Sequence, residues 1–130
     1  MSSVRKFILI DDDPLNNLLC KIELETTLGE VDIQTFLVPE KGLEYIQKEY
    51  DKIMPPTILL LDINMPTLTG WEFMEAYEKF DEQIKKQLTI YILSSSVDQR
   101  DKDKAKANKY IKGFLIKSLE QETIGSIAGL

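Results

Sequence analysis

Histidine is absent from this chain of 130 residues, so no internal imidazole can serve as a base, a metal ligand or a phosphate carrier. A single cysteine, Cys20, rules out an internal disulfide and suits a reducing compartment. There is no basic excess either: 22 acidic against 16 basic side chains leave a net charge of −6. That balance argues against nucleic acid or an anionic membrane surface as the main partner. No apolar run approaches membrane-spanning length, and the opening MSSVRK lacks the apolar core of a signal peptide. Internal repeats, low-complexity tracts and linkers are missing too, and 130 residues suffice for one domain around one core. The expectation is a single cytoplasmic domain, residues 1–130, with no attached output domain.

What is present is a regular alternation. Apolar bursts of strand length, KFILID (6–11), VDIQTFLV (31–38), TILLLD (57–62), TIYILS (89–94) and GFLIK (113–117), are separated by stretches of helical period. Leu15, Leu18, Leu19 and Ile22 recur at helical spacing in the first such stretch, and Phe73, Tyr77, Phe80 and Ile84 in the third. Helix starts are flagged by Asp13 before Pro14, by Thr69 with Glu72, and by Ser118 with Gln121. Five rounds of strand and helix predict an α/β fold, a parallel sheet with helices on both faces. Trp71 and Phe73 are assigned to packing of the third helix. The mixed-charge stretch DQRDKDKAKANKYIKG (98–113) resembles a docking face for an acidic partner, but a solvated helix face with mixed charges is the reading preferred.

Four of the five strands end in a reactive polar group. Asp11 and Asp12 close the first, Asp62 the third, Ser94 the fourth and Lys117 the fifth, whereas the second ends in FLVPE with nothing comparable. Ligands of open α/β sheets bind beyond the carboxyl ends of the strands, where the winding direction reverses. For these four tips to meet, strand two must lie at an edge, which gives the flavodoxin-like (βα)5 order 2-1-3-4-5. Asp11, Asp12 and Asp13 standing side by side at a buried strand end repel one another unless a cation or hydrogen bonds offset the cost. Asp13 before Pro14 is read as an N-cap. Asp11 and Asp12 remain as candidates for holding something positive.

The set LIDDDP, LLLDINMP, ILSSS and FLIKS, each at its strand end and in this order, resembles the receiver domain of two-component response regulators over nearly the whole chain. Asp62 lies 50 residues after Asp12, Ser94 32 after Asp62, and Lys117 23 after Ser94, spacings that suit the family. The resemblance implies a stand-alone regulator, similar to chemotaxis regulators, in which Asp62 takes a phosphoryl group from a sensor histidine kinase or a histidine phosphotransfer protein. Attack of a carboxylate on a phosphate sets anion against anion, so neutralising charge matters more than an acid or base. By the same resemblance Asp11, Asp12, Asp62 and the backbone carbonyl of Asn64 hold Mg²⁺, with Mn²⁺ as a substitute. Lys117 and the Ser94 hydroxyl then meet the phosphoryl oxygens. Ser94 and Phe114 form the switch pair, small Ser95 leaves access to Asp62, and Asn64 and Ser96 tune hydrolysis. The protein assists its own phosphorylation and dephosphorylation without being an enzyme. Its downstream protein partner would use the surface of the fourth helix, fifth strand and fifth helix.

One departure stands out: members of the family usually carry proline after the lysine, joined by a cis bond, and here Ser118 follows Lys117. A cis bond costs roughly 2.5–4 kcal/mol before serine against about 0.5–1 before proline, so the loop runs cis under constraint or runs trans and reorients Lys117. Two other readings compete. A small Mg²⁺-dependent aspartyl-phosphate phosphatase would use the first aspartate of DDD, but glycine and threonine do not follow it. A receiver-like binding module that is never phosphorylated commonly lacks one of the acidic pair, Asp62, Ser94 or Lys117, and none is lacking here.

Overall fold

Every residue of β1 (Lys6–Ile10) and β3 (Thr57–Leu61) is buried, as parallel strands covered on both faces must be. The computed structural model describes residues 4–130; Met1, Ser2 and Ser3 of the opening stretch lie outside the described residues. The remaining strands are β2 (Asp32–Phe36), β4 (Leu88–Ser94) and β5 (Ile111–Ile116). All pair in parallel in the order β2-β1-β3-β4-β5, the expected order with β2 at one edge. Alternation along the strands feeds two cores. Ile8, Ile10, Leu59, Leu61, Ile90 and Ile92 face α2 (Pro39–Glu49), α3 (Gly70–Glu78) and α5 (Gln99–Ala107). Phe7, Leu9, Ile58, Leu60, Tyr91 and Leu93 face α1 (Pro14–Leu28) and α6 (Gln121–Ala128). Among the described residues no helix is long and apolar enough to cross a membrane.

Two of the three predicted helix starts form as read. The Asp13 carboxylate accepts from Leu15 N at 2.9 Å with Pro14 in the first turn, and Thr69 and Glu72 close a reciprocal capping box. The third does not: α6 starts at Gln121 after Glu120, with no side-chain cap from Ser118. Leu119 is buried in the core under α1, and that anchor holds the chain outside the helix for two further residues.

Phe73, Tyr77, Phe80 and Ile84 do not share one helix. α3 stops at Glu78, Asp81 is extended, and a single turn, α4 (Glu82–Lys85), carries Ile84 into the core. Aspartate favours helix ends over interiors, which explains the break. β5 begins at Ile111, two residues earlier than its apolar run indicated, with Lys112 as the extra residue of a bulge opposite Ile90 and Tyr91. The apolar repeat of α1 also lies the other way round: Leu15, Leu18, Leu19 and Ile22 are 47–59% exposed, while Asn17, Cys20, Leu24 and Leu28 are buried.

At the opposite end of the sheet from the strand tips, Lys6 is buried with its ammonium 2.8 Å from Asp32 and 3.2 Å from the Tyr45 hydroxyl. Burial lowers its pKa, but these bonds outweigh that and the net shift is upward.

Candidate functional site

The parallel register carries Asp11, Asp62, Ser94 and Lys117 to one end of the sheet. Asp62 N donates to Ile10 O at 2.9 Å, and Lys117 N donates to Ser94 O at 2.9 Å, so each polar residue is fixed by the strand beside it. Asp11 N donates to Phe36 O at 3.1 Å, and the Asn17 side-chain amide donates to Asp11 O at 3.0 Å. Asp11 Oδ1 accepts from Asp13 N at 3.0 Å, which turns its other oxygen toward the cluster.

Asp11, Asp12 and Asp62 each offer a carboxylate oxygen within 4.8 Å of the other two. Asp11 and Asp62 are 7% and 6% exposed, whereas Asp12 is open to solvent. Lys117 Nζ lies 2.6 Å from Asp11 Oδ2 and 3.8 Å from Asp62 Oδ1. One ammonium therefore stands beside two of the three carboxylates, and the cluster keeps a surplus of negative charge. Burial, and next the facing Asp11 carboxylate, push the Asp62 carboxyl up to about 6 against the pull of Lys117. An all-oxygen donor set with surplus negative charge fits a hard divalent cation such as Mg²⁺ or Mn²⁺.

Ser94 is fully buried, and its hydroxyl accepts from Ser96 N at 3.0 Å. Ser96 Oγ in turn donates to Asp101 Oδ2 at 3.0 Å and accepts from Asp98 N at 3.2 Å, tying the loop to the first turn of α5. Phe114 is half-buried against the core beside Ile92, one strand away from Ser94. Asn64 is exposed two residues past Asp62, and its N–H points to Asp62 Oδ1 at 3.5 Å. Ser95 is exposed at the mouth. The Lys117–Ser118 peptide is cis, which decides between the two geometries left open above.

Three supporting residues escaped the sequence reading. Asn17 and Asp101 carry no signal apart from their polar type on a helix. Gly70 did carry one, directly after the Thr69 cap: a Cβ there would stand 2.8 Å from Asp62 O and 2.7 Å from the Ile63 side chain. Its N–H donates to Ile63 O at 3.0 Å, so α3 begins pressed against the Asp62 loop. A cavity of about 220 Å³ opens beside the site between α1 and the β5–α6 loop, walled by Leu9, Leu60, Leu93 and Cys20. Burial, and next the charge of Asp11, push the Cys20 thiol up to about 12, so it is not a nucleophile.

Among proteins of curated function none matches the sequence. Solved structures do match. The chain is 26% identical to a two-component response regulator from Cytophaga hutchinsonii, with a TM-score of 0.88 and coverage of 98% of this chain and 96% of that one. A response regulator receiver protein from Dyadobacter fermentans is 27% identical at a TM-score of 0.83, covering 94% and 96%. The chemotaxis response regulator CheY4 of Vibrio cholerae shares the fold at 22% identity and a TM-score of 0.74, covering 95% of each chain. The family model of the response regulator receiver domain matches residues 7–128. The chain belongs to the receiver domain family of two-component response regulators.

Proposed function

We propose that Asp62 is the phosphoacceptor of this receiver, taking a phosphoryl group from a phosphohistidine on a sensor histidine kinase or histidine phosphotransfer protein. The observation that carries this is the convergence of Asp11, Asp12 and Asp62 within 4.8 Å, with Lys117 beside them and Asp62 nearly buried. An Asp62 carboxylate oxygen forms the new P–O bond as the P–N bond to the donor imidazole breaks, and the leaving imidazole keeps its electron pair. Asp11, Asp12, Asp62 and the Asn64 carbonyl hold Mg²⁺ or Mn²⁺, which supplies charge neutralisation for the reacting oxygens. Lys117 contributes the second positive charge and the Ser94 hydroxyl donates to a phosphoryl oxygen.

The Ser94 hydroxyl accepts from Ser96 N and keeps its own hydrogen free to donate, so it turns toward the phosphoryl oxygen when the group arrives. Phe114 fills the space released, and the surface of α5, β5 and α6 shifts population toward a partner-binding state. Asn64 and Ser96 position water for hydrolysis, so the acyl phosphate decays without a separate enzyme. The match over residues 7–128 supports one receiver domain across 1–130, working in the cytoplasm as a regulator that signals through a protein.

The test is intact mass after mixing the protein with Mg²⁺ and acetyl phosphate or phosphoramidate. One added phosphoryl group is expected, sensitive to hydroxylamine and lost in Asp62→Asn and in chelator. No adduct, or an adduct that persists in the variant, overturns the reading.

A further inference from the structure

The N-terminus of α5 closes through three residues rather than two. Asp98 stands at the N-cap and Asp101 at the third helical position, the places that a reciprocal capping box uses. At α3 such a box closes directly, with Thr69 N donating to Glu72 Oε1 at 2.9 Å. Aspartate is one methylene shorter than glutamate, and at α5 a third side chain spans the gap. Asp98 N donates to Ser96 Oγ at 3.2 Å, and Ser96 Oγ donates in turn to Asp101 Oδ2 at 3.0 Å. The helix end is thus closed by the hydroxyl of a residue in the loop that follows Ser94.

That residue is also tied to the reacting end of β4. Ser96 N donates to Ser94 Oγ at 3.0 Å, and Ser94 is held against β5 by the 2.9 Å bond from Lys117 N to its carbonyl oxygen. Ser96 is therefore fixed at two points, its amide on Ser94 and its hydroxyl on Asp101. A serine hydroxyl has one hydrogen and two lone pairs. Here the hydrogen goes to Asp101 and one lone pair to Asp98 N, so a single lone pair is left over. Toward any further partner Ser96 accepts and does not donate. Donating to a carboxylate also polarises the hydroxyl and makes its oxygen the stronger acceptor.

We infer that Asp101 is a positioning residue for hydrolysis of the acyl phosphate, acting through Ser96, and that it sets the phosphoryl lifetime. This rests on the proposed role of Asp62 as phosphoacceptor. In the hydrolysis a water oxygen forms a new P–O bond as the bond between phosphorus and the Asp62 oxygen breaks. The Asp62 carboxylate keeps the electron pair, and both water protons leave with dihydrogen phosphate. A water that donates to Ser96 keeps its lone pairs for the phosphorus, whereas one that accepted from Ser96 would spend a lone pair and become a poorer nucleophile. By claiming the Ser96 hydrogen, Asp101 enforces the first arrangement.

Decay of the adduct tests this, followed by intact mass in Mg²⁺ after acetyl phosphate is removed. Asp101→Ala should slow decay about three- to tenfold, the span of one ordinary hydrogen bond, while labelling, which calls on Lys117 and Ser94, stays within about twofold. Asp101→Asn keeps an acceptor oxygen at the same reach and should decay more like the unaltered chain than like Asp101→Ala. Ser96→Ala should slow decay to a similar degree, and the double variant no further, because both changes remove one device. Asp103→Ala, which takes an exposed acid from the same helix, should leave the lifetime as it is. Unchanged decay in Asp101→Ala alongside a lower urea midpoint would make the residue a helix cap only and overturn the inference. Effects of Asp101→Ala and Ser96→Ala that multiply in the double variant would overturn it too. An adduct whose lifetime ignores Asp101 sinks this inference alone, whereas absence of any adduct in the unaltered chain sinks the phosphoacceptor reading with it.

Discussion

Lys117 stands closer to Asp11 than to Asp62, 2.6 Å against 3.8 Å. The lysine thus holds one wall of the site while remaining within reach of a group that arrives on Asp62. A charge preorganised where negative charge develops contributes much to phosphoryl transfer, and removing one such donor typically costs about a hundredfold or more in rate.

Lys117→Ala is therefore expected to slow phosphorylation by acetyl phosphate about a hundredfold, followed by intact mass over time. Lys117→Arg keeps the charge and should recover part of the rate. Wild-type labelling of Lys117→Ala would reduce the pair to an ion bridge that merely closes the sheet.

Asp62 gives the protein an unusual pH response. Its carboxyl titrates at about 6 in the folded state, raised first by burial and then by Asp11, against about 3.9 in an unfolded chain. Between these values the folded state binds more protons than the unfolded state, so stability from this group falls as pH rises through the window and stays low above it. Asp62→Asn should stabilise the protein in chelator at pH 7 by about 1–3 kcal/mol, a gain that shrinks toward zero near pH 4. Urea denaturation at the two pH values measures it. Equal stability at pH 7 would mean that the carboxylates are fully solvated.

Gly70 sits where no side chain fits, with Asp62 O and the Ile63 backbone both 2.8 Å from a notional Cβ. Backbone cannot swing aside as a side-chain tip can, so Gly70→Ala must displace the start of α3 or the Asp62 loop. A loss of roughly 1–3 kcal/mol follows from such overpacking. Mg²⁺ affinity, read by calorimetry, should fall with it, whereas Gly125→Ala, with nothing nearer than 3.8 Å, should leave the metal site unchanged.

The strand tips were legible because period and position suffice for them: an apolar run ending in Asp62 or Lys117 has only one place to put that residue. Helix faces were less so. Leu15, Leu18, Leu19 and Ile22 mark an apolar stripe on α1, but spacing does not say what covers a stripe, and the sheet is covered by Leu24 and Leu28 instead. The buried side of α1 is pinned partly by Asn17, a polar residue that a search for apolar periodicity passes over. The Ser118 start of α6 failed for a tertiary reason, the burial of Leu119.

Trp71, the sole tryptophan, joins the two regions that the switch must couple. It follows Gly70, which is bonded to the loop after Asp62, and its ring faces Lys104 of α5 at 5.6 Å. Indole emission responds to a nearby ammonium and to solvent access, so displacement of either the loop or α5 should alter it. Adding acetyl phosphate to the Mg²⁺-loaded protein is expected to change Trp71 fluorescence at the rate at which the phosphoryl adduct appears by mass. In Ser94→Ala the hydroxyl that accepts from Ser96 N and would donate to the phosphoryl oxygen is gone. Adduct formation should then proceed with most of the fluorescence change lost. A full signal in that variant would show that the α3 loop alone drives Trp71 and that Ser94 does not relay the event to α5.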